Sequence, residues 1–512
     1  MLRIVTMGTP DLTTLDHTID DRSLSGDGSV PLAVTLLWHP DPKRIGYRAQ
    51  VLLGRTPLHI SRSEPLFPDE RPLDDPRISR SPLQLVPQPG GGLQLWPSGP
   101  SVRFTIDGEA GQGGEQVALE DLQRGVVLGL GRGALLLLQL GEAATASRNF
   151  GLVGASVALS RIAQRIDTLA QRPEPLLITG PSGTGKELVA RAVHRAGPRA
   201  DKPFVAVNLA ALAPGTAPSQ LFGHERGAFT GAGRAHQGFF VEADGGTLLL
   251  DEVGACPPEV QSQLLRALES SEIQPVGGAV RKVDVRVLAA TDSVIEDRLC
   301  EDDFRAPLYF RLARSKLHIP PLRRRPADIA VQLVHFLRIA LHGFGAGERL
   351  RPAPPHAAPW LSRDVMEAVL AHGWPGNTRE LISVAGELAE RFGSEPVCGL
   401  PHFIRIGPRV PGPRPESTLA QRPAPCESSP VEGVLRAHGY QLGPSARALG
   451  IGVATLRRRM AALDLPRAQE LGPDQIRAAL DKHPDSNSAA VHLRVSAHGL
   501  KLRMKELGLG DD

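Results

Sequence analysis

Residues 176–187 decide how the centre of this chain folds, and they read Leu176-Leu177-Ile178-Thr179-Gly180-Pro181-Ser182-Gly183-Thr184-Gly185-Lys186-Glu187. The four residues before the first glycine predict a buried strand, and the apolar positions that follow residue 187 have helical spacing. Between strand and helix stands Gly-x-x-x-x-Gly-Lys. In this pattern the backbone N–H groups and the helix N-terminus surround a phosphate, and the lysine adds a positive charge. The stretch therefore predicts a phosphate-binding loop, here called the phosphate loop (residues 180–186).

A second apolar strand, residues 246–252, lies further along the chain and ends in Asp251 and Glu252. One of these carboxylates can hold Mg²⁺, and the other can orient an attacking water. The glycine pattern alone could arise by chance. Together with an acidic strand in this order, it favours a site that binds a nucleotide with Mg²⁺ as cofactor.

Between these two motifs lies a glycine-rich segment, Leu221-Phe222-Gly223-His224-Glu225-Arg226 followed by Gly227-Ala228-Phe229-Thr230-Gly231-Ala232. Its glycines predict a surface loop. A surface loop that carries a phenylalanine at its tip exposes an aromatic ring at a cost, which points to a contact with a partner. We call residues 227–232 the tip loop.

The sequence GAFTGA of the tip loop, preceded by LFGHE, resembles the signature loop of bacterial enhancer-binding proteins, the AAA+ activators of sigma-54 RNA polymerase. The resemblance extends from about residue 151 to residue 393. It implies that the tip loop contacts sigma-54 through Gly227, Ala228, Phe229, Thr230, Gly231 and Ala232. The form Gly-Thr-Gly-Lys-Glu, with Glu187 where other phosphate loops have Ser or Thr, is the form this family carries.

The same resemblance implies roles for further residues of the site. Nucleotide would be bound by Gly180, Pro181, Ser182, Gly183, Thr184, Gly185, Lys186 and Glu187, by Thr291 as first sensor and by Arg379 as second sensor. Asp251 would hold the metal and Glu252 would activate water. Asn208 would pair with Glu252 in one nucleotide state, although a turn-forming Asn is the plain structural alternative.

Arg305 and Arg311 resemble the arginines that a neighbouring subunit supplies to the transferring phosphoryl group. Such arginines require an oligomer, which in this family is a ring and is expected to be a hexamer. The structural alternative for both is a surface salt bridge. Pro307 stands where the family has an acidic residue, and Asp292 stands where it often has Asn.

Residues 1–30 are expected to be a polar lead-in, and residues 31–142 contain short apolar runs separated by turn signals, such as Asp107-Gly108. No long helical period appears there, so an antiparallel β-sandwich is predicted. This segment resembles a forkhead-associated (FHA) domain. That resemblance implies that Arg55, Ser79 and Arg80 bind phosphothreonine, as a guanidinium and hydroxyl set suits phosphate. Pro82 replaces the family's histidine, and a sandwich that uses these residues only for packing remains the alternative.

The remaining boundaries follow from composition and spacing. We expect an α/β subdomain at 151–323, a helical lid at 324–393, a proline-rich linker at 394–430 and helix-turn-helix modules at 431–466 and 471–510. The first module resembles the Fis-type module that ends sigma-54 activators. Its contacts with double-stranded DNA are expected from Thr455, Arg457, Arg458 and Arg459. The alternative is a helical bundle with a basic face.

Composition adds limits on the kind of protein. The four cysteines have no C-x-x-C spacing, which favours a reducing cytoplasm. No signal peptide is visible, and the longest apolar run, residues 126–140, is too short to cross a bilayer. A net charge of +3 in 512 residues makes any nucleic-acid affinity local.

These inferences predict a multidomain protein that consists of an FHA-like sandwich, an AAA+ ATPase and a DNA-binding tail. Its expected function is ATP-driven remodelling of sigma-54 RNA polymerase, regulated by a phosphothreonine protein. One alternative is a DNA-binding regulator whose ATPase domain only drives oligomerisation. Another is a phosphopeptide adaptor, which would need no helix-turn-helix.

Overall fold

The structure is a computed structural model. It describes residues 30–53, 56–67, 71–89, 91–141, 150–213, 215–292, 295, 304–354, 356–400 and 473–482, with single residues between 435 and 507. The chain divides into two units, Met1–Arg414 and Pro415–Asp512. In these described ranges, no helix has the length and apolar character needed to cross a membrane.

The N-terminal part of the first unit is built from short strands. They are β1 Val30–Trp38, β2 Arg48–Leu53, β3 Leu58–Ile60, β4 Pro65–Phe67, β5 Arg71–Pro72, β6 Leu83–Pro87, β7 Leu93–Pro97, β8 Phe104–Ile106, β9 Glu109–Ala110, β10 Glu115–Val117, β11 Val126–Leu130 and β12 Ala134–Leu140. A short helix, α1 (Leu119–Arg124), precedes β11. The strands form a six-stranded sheet in the order β2-β1-β12-β11-β8-β9 and a four-stranded sheet in the order β10-β7-β6-β3.

The two sheets are antiparallel throughout and enclose an apolar core. Side chains from alternate positions, such as Leu136 and Leu138 of β12, face this core because successive residues of a strand point to opposite sides. The predicted turn at Asp107-Gly108 joins β8 to β9, with both residues at positive φ (49° and 88°). The predicted β-sandwich is therefore present, and the turn predicted at Asp107-Gly108 joins two of its strands.

The central part of the first unit is an α/β subdomain. Its elements are α2 Val157–Ala170, β13 Leu176–Thr179, α3 Lys186–Ala196, β14 Phe204–Asn208, α4 Ala217–Phe222, α5 Phe239–Glu242, β15 Thr247–Asp251, α6 Pro258–Ser270, β16 Glu272–Ile273, β17 Arg281–Lys282, β18 Arg286–Thr291, α7 Ala306–Leu312 and β19 Ser315–His318. Five strands form a parallel sheet in the order β14-β15-β18-β13-β19. Leu248, Leu249 and Leu250 are fully buried, as strands covered on both faces require.

A helical lid follows, with α8 Pro326–Gly343, α9 Arg363–Ala371 and α10 Asn377–Phe392. Ile329, Leu333 and Leu337, which recur at helical spacing along α8, are buried in its core. The lid contacts continue beyond residue 393, where the linker was predicted to begin. Cys398 is buried and its amide donates to the carbonyl of Trp360 over 2.8 Å.

The second unit contains the helix α11 (Pro473–Lys482). Its buried cluster is formed by Ile476, Ala489, Ala490, Val495 and Leu500, with Leu493, Met504 and Leu507 packed against it. Thr455, Arg457, Arg458 and Arg459 lie outside the described residues.

Candidate nucleotide site

The phosphate loop lies at the carboxyl end of β13, where the chain turns into α3. Gly183 excludes a side chain on two grounds. Its φ of +77° lies in the left-handed region, which favours glycine, and a Cβ there would overlap the carbonyl oxygen of Gly376 in the lid. The Thr184 hydroxyl donates to the carbonyl of Pro181 over 2.8 Å and stabilises the turn. The loop therefore holds a fixed curve between β13 and the N-terminus of α3, the arrangement that binds a phosphate.

Lys186 is the first residue of α3 and is only 7% exposed. Its Nζ donates to the carbonyl of Gly180 over 2.9 Å, so the side chain lies back over the loop. The same Nζ lies 4.0 Å from Oε1 of Glu252. The ammonium group of Lys186, which the sequence predicts to bind a phosphate, therefore lies against the phosphate loop. It also lies beside the carboxylate of Glu252, the predicted catalytic residue.

Asp251 ends β15, and Glu252 follows it in the left-handed region (φ 52°). The Glu252 amide donates to Oδ1 of Asp251 over 3.0 Å, and the Asp292 amide approaches Oε2 of Glu252 at 3.4 Å. Burial raises the pKa of the Glu252 carboxyl above its ordinary value; the charge of Lys186 opposes this rise and Asp292 adds to it. A carboxylate with a raised pKa at this position suits a group that accepts a proton from water.

Thr291 and Asn208 occupy the neighbouring strand ends. Thr291 is buried at the end of β18, and its carbonyl accepts from the Gly180 amide over 3.3 Å. Asn208 lies opposite Asp251 in the register of β14 and β15. Its side-chain oxygen accepts from the Ala210 amide over 2.9 Å, which caps the short helical turn that follows. The capping alternative is thus what the structure shows for Asn208, and its pairing with Glu252 stays a prediction.

The lid reaches the phosphate loop through the first residues of α10. The Asn377 Nδ2 donates to the carbonyl of Ser182 over 2.8 Å, and its Oδ1 accepts from the Leu322 amide over 2.8 Å. The Thr378 amide donates to the carbonyl of Gly183 over 3.0 Å, and Arg379 Nη1 lies 3.2 Å from Oγ of Ser182. Arg379 therefore lies beside the phosphate loop, and its role as second sensor stays a prediction.

Asn377 differs from an ordinary helix cap. Asparagine is favoured at helix N-caps, but the structure shows no side-chain cap at the start of α10. Instead Asn377 is 2% exposed, has a positive φ (53°) and connects the phosphate loop to the segment that leads into the lid. Asparagine tolerates this backbone conformation better than most residues, which explains its use here. The hydrogen bond from Asn377 to the distant Ser182 is what distinguishes this role from that of a helix cap.

Three other residues with predicted roles at the site make contacts away from the phosphate loop or face solvent. Arg311 donates twice to the carbonyl of Leu268, over 3.0 and 2.8 Å, and so stabilises the C-terminal end of α6. Arg305 is exposed at the start of α7. Glu187 forms an exposed pair with Arg191 at 2.7 Å on the outer face of α3, away from the loop. Of the two candidate trans-acting arginines, Arg305 is exposed and Arg311 is half-buried.

The tip loop is exposed at Gly227 and from Phe229 to Gly231 but buried at Ala232, and it is held mainly by its own backbone. The Gly227 amide donates to the carbonyl of Ala232 over 2.8 Å, and the Ala232 amide donates to that of Phe229 over 3.0 Å. Phe229 is 46% exposed, with its ring 4.9 Å from the ring of His224. Thr230 is exposed beside it. The structure thus confirms that the loop presents an aromatic ring to solvent.

The base of this loop is fixed by two sets of contacts. His224 bonds the Ser219 hydroxyl at 2.7 Å and the Arg234 carbonyl at 2.9 Å through its two ring nitrogens. Glu225 receives Arg281 of β17 at 2.6 Å, and its amide donates to the carbonyl of Val276 over 3.1 Å. A rigid base under a free tip suits a loop that transmits movement to a partner.

The described residues contain no group of three or more His, Cys, Asp or Glu side chains placed to hold a metal ion by themselves. This agrees with Mg²⁺ chemistry at nucleotides, where one or two carboxylates suffice and phosphate and water oxygens complete the coordination. Asp251, half-buried at the strand end beside Glu252, is the residue that fits.

The predicted phosphothreonine loop is partly described. The Ser79 hydroxyl lies 3.2 Å from that of Ser101 and accepts from the Ser81 amide over 3.1 Å, while Arg80 is exposed. Arg55 lies outside the described residues. The loop after β7 thus meets the loop before β6 through the contact of Ser101 with Ser79. Sequence reasoning missed Ser101 because no motif marks it.

A phosphate loop at the carboxyl edge of a five-stranded parallel sheet, closed by a helical lid, defines a P-loop NTPase of the AAA+ class. Residues 152–318 match the family described as "Sigma-54 interaction domain". The chain is 44% identical over 231 residues to the DNA-binding transcriptional regulator NtrC of Escherichia coli K12, covering 45% of this chain and 47% of that protein. It is 38% identical over 319 residues to the transcriptional regulatory protein ZraR of the same strain, covering 62% and 70%.

Among solved structures, NtrX from Brucella abortus in complex with ADP is similar, with 31% identity, coverage of 61% of this chain and 70% of that one, and a TM-score of 0.44. The chain spans about half the length of the NtrC proteins that it matches. It belongs to the family of sigma-54-dependent transcriptional activators.

Proposed function

We propose that this chain hydrolyses ATP and uses the energy to remodel sigma-54 RNA polymerase at a promoter, so that DNA can open. One observation carries the proposal. The Lys186 ammonium and the Glu252 carboxylate lie 4.0 Å apart at the phosphate loop, while an exposed Phe229 stands on a separate loop. Chemistry and contact with a partner are thus assigned to different parts of one subdomain.

In the proposed reaction, the N–H groups of the phosphate loop and Lys186 bind the nucleotide phosphates. Asp251 would hold Mg²⁺, which would supply positive charge to the phosphates. Glu252 orients water and accepts its proton. Thr291 and Arg379, at the strand end and at the lid, report which nucleotide is bound.

We further propose that the active unit is a homo-oligomeric ring, expected to be a hexamer, in which Arg305 acts on the nucleotide of its neighbour. The exposure of Arg305 supports this role. Arg311 is bonded within its own chain, so we assign it a positioning role for α7 and α6 unless assembly breaks those bonds. Asn208 restrains Glu252 only after leaving its present cap.

The test is transcription in vitro with purified sigma-54 holoenzyme, a sigma-54 promoter, ATP and the full-length chain. Open complexes should form only when both ATP and the chain are present. A promoter read by a different sigma factor is the matched control and should not respond. ATP hydrolysis without open complexes would instead favour a regulator whose ATPase domain only drives assembly.

For the tail, we propose binding to double-stranded DNA through Thr455, Arg457, Arg458 and Arg459. The basic residue types support it, since arginines at a recognition helix contact bases and phosphates. A deletion of residues 467–512 should weaken binding to a target site less than Arg457→Ala combined with Arg458→Ala. The reverse order would assign the main contact to the second module.

For the sandwich, we propose that Arg55, Ser79 and Arg80 bind a phosphothreonine of a protein partner. The two-sheet architecture and the paired hydroxyls of Ser79 and Ser101 support this. Calorimetry of the full chain against peptides with and without the phosphate tests it, with Arg80→Ala as the variant. Binding that ignores the phosphate would leave the sandwich as a phosphate-independent docking module.

A further inference from the structure

A cavity of about 450 Å³ lies where the connection between β1 and β2 meets the helical lid. It is lined by Lys43 of that connection, by Arg338 of α8, and by Gly347, Leu350 and Arg351 in the turn that follows α8. Cavities that hold small ligands in proteins have volumes of about 300–1,000 Å³. This cavity therefore has room for a small molecule, and most of its lining residues are cations.

The walls of the cavity are held by hydrogen bonds that do not use the heads of these cations. On the sandwich side, the Asp41 side chain accepts from the Lys43 amide over 3.0 Å. The Pro40 carbonyl accepts from the Ala353 amide of the lid over 3.1 Å, which joins the two walls. On the lid side, Arg349 donates to two carbonyls just after α10, over 2.9 and 2.7 Å. The backbone around the cavity is thus fixed without help from the cationic groups that line it.

The three cationic side chains of the lining have no partners of their own. Within the part of the chain that the structure describes, no hydrogen bond or ion pair is made by the side chains of Lys43, Arg338 and Arg351, and all three are exposed. The acidic residues of the same two segments, Asp41 and Glu348, do not line the cavity. The lining therefore has positive charges and no negative one. A cleft lined by charges of one sign concentrates ions of the opposite sign.

We propose that this cavity binds a small molecule that carries a phosphate or pyrophosphate group. A guanidinium group forms paired hydrogen bonds with phosphate oxygens, and a lysine supplies a point charge. Lys43 lies on one wall and the two arginines on the other, so a phosphate between them is contacted from both sides. The bound anion also relieves the mutual repulsion of the three cations. None of the lining residues belongs to the phosphate loop, so binding here is separate from the binding and hydrolysis of ATP.

Calorimetry of the full chain with pyrophosphate as the probe tests the site. The chain carries Lys186→Ala as background, which removes the charge of the phosphate loop. Pyrophosphate should bind, and Arg338→Ala or Arg351→Ala should each weaken binding at least about tenfold, because hydrogen bonds between charged groups are the strong ones. Arg391→Ala removes another exposed arginine of the lid, one that is paired with Glu387. It is the matched control and should bind as the background does.

A second pair of variants adds a charge to the lining instead of removing one. A Cβ at Gly347 would meet only Nδ1 of His342, at 3.9 Å, so this position has room for a side chain. Gly347→Asp places a carboxylate among the cations and should also weaken pyrophosphate binding at least about tenfold. Gly347→Ala makes the same backbone change without a charge and should leave binding intact. Thermal unfolding without ligand checks that the two variants are equally folded.

Hydrogen exchange on the same samples locates the bound anion. With pyrophosphate, the backbone amides of residues 41–47 and 349–353 should exchange more slowly in the background chain, and this protection should be absent in Gly347→Asp. Three results would overturn the site: no binding at millimolar pyrophosphate, binding that survives Arg338→Ala and Arg351→Ala unchanged, or an equal loss in Gly347→Ala and Gly347→Asp. Protection confined to the phosphate loop would likewise place the anion elsewhere.

Discussion

The phosphate loop and the tip loop are both rich in glycine, yet the structure holds them in opposite ways. The phosphate loop is bonded to the lid through the carbonyls of Ser182 and Gly183, and its Lys186 is 7% exposed. The tip loop has its bonds within itself and at its base, and it leaves Phe229 46% exposed. Glycine content therefore does not determine how free a loop is.

The difference lies in what approaches each glycine. At Gly183 the missing side chain lets the lid backbone come close, so the glycine serves packing. At Gly227 and Gly231 a Cβ would meet nothing within 4 Å, and both residues have positive φ (80° and 102°), so they serve the turn alone. The phosphate loop is fixed where we propose the chemistry, and the tip loop is exposed where we propose contact with a partner.

The largest effects are expected in the fixed loop. Lys186→Ala removes the charge at the phosphate site and should abolish nucleotide binding. Glu252→Gln should bind ATP but hydrolyse it at least about 100-fold more slowly, because a positioned general base contributes that much or more. Fluorescent-nucleotide titration and phosphate release measure the two effects.

Lys202→Ala, at an exposed lysine paired with Asp201, is the control for both changes and should behave like the parent protein. Normal turnover in Glu252→Gln would remove its assignment as the base.

The second effect separates the two loops. Thr230→Ala in the tip loop should leave ATP hydrolysis intact and abolish open-complex formation, since Thr230 is exposed and distant in the chain from every phosphate contact. The folding free energy should change by less than about 0.5 kcal/mol, as for other surface substitutions. Ser270→Ala, an exposed hydroxyl at the end of α6, is the matched control. Loss of both activities in Thr230→Ala would mean that the tip loop supports the fold rather than contacting sigma-54.

The third effect tests how the lid fixes the phosphate loop. Asn377→Asp keeps an acceptor for the Leu322 amide but loses the donor to Ser182 and sets a carboxylate against that carbonyl. We expect KM for ATP to rise about tenfold and stability to fall by about 1–3 kcal/mol, the cost of a buried unpaired group. Ser383→Ala, on the exposed face of the same helix, should change neither value. An unchanged KM alongside lower stability would make Asn377 a purely structural residue.

Much of this site was readable from sequence because it depends on local patterns. The strand before Gly180, the acidic strand end at Asp251 and the core positions of α8 follow from hydrophobic periodicity and motif spacing. The antiparallel sandwich followed from turn signals such as Asp107-Gly108. Each of these patterns is contained in a short window of the chain.

The contacts that sequence reasoning missed connect distant segments. Asn377 meets Ser182 across 195 positions, and Trp38 meets Leu361 across 323. Neither side chain differs locally from an ordinary cap or core residue. The unbroken run of leucines in β12 is buried on both faces, but no local pattern names the second partner, which is the lid.

The smallest expected effect concerns the pH dependence of hydrolysis, which is set by Glu252 beside the phosphate loop. Burial and Asp292 both raise the pKa of Glu252, and Lys186 opposes them. The ionised carboxylate is the active form, so hydrolysis should be present above this pKa and lost as pH falls through it. Asp292→Asn removes a repelling charge, which lowers the pKa and lets activity persist to lower pH. The acid limb of kcat against pH should therefore move down in Asp292→Asn and stay in place in the exposed control Asp201→Asn. A shift upward, or an equal shift in both variants, would show that Asp292 does not act on Glu252.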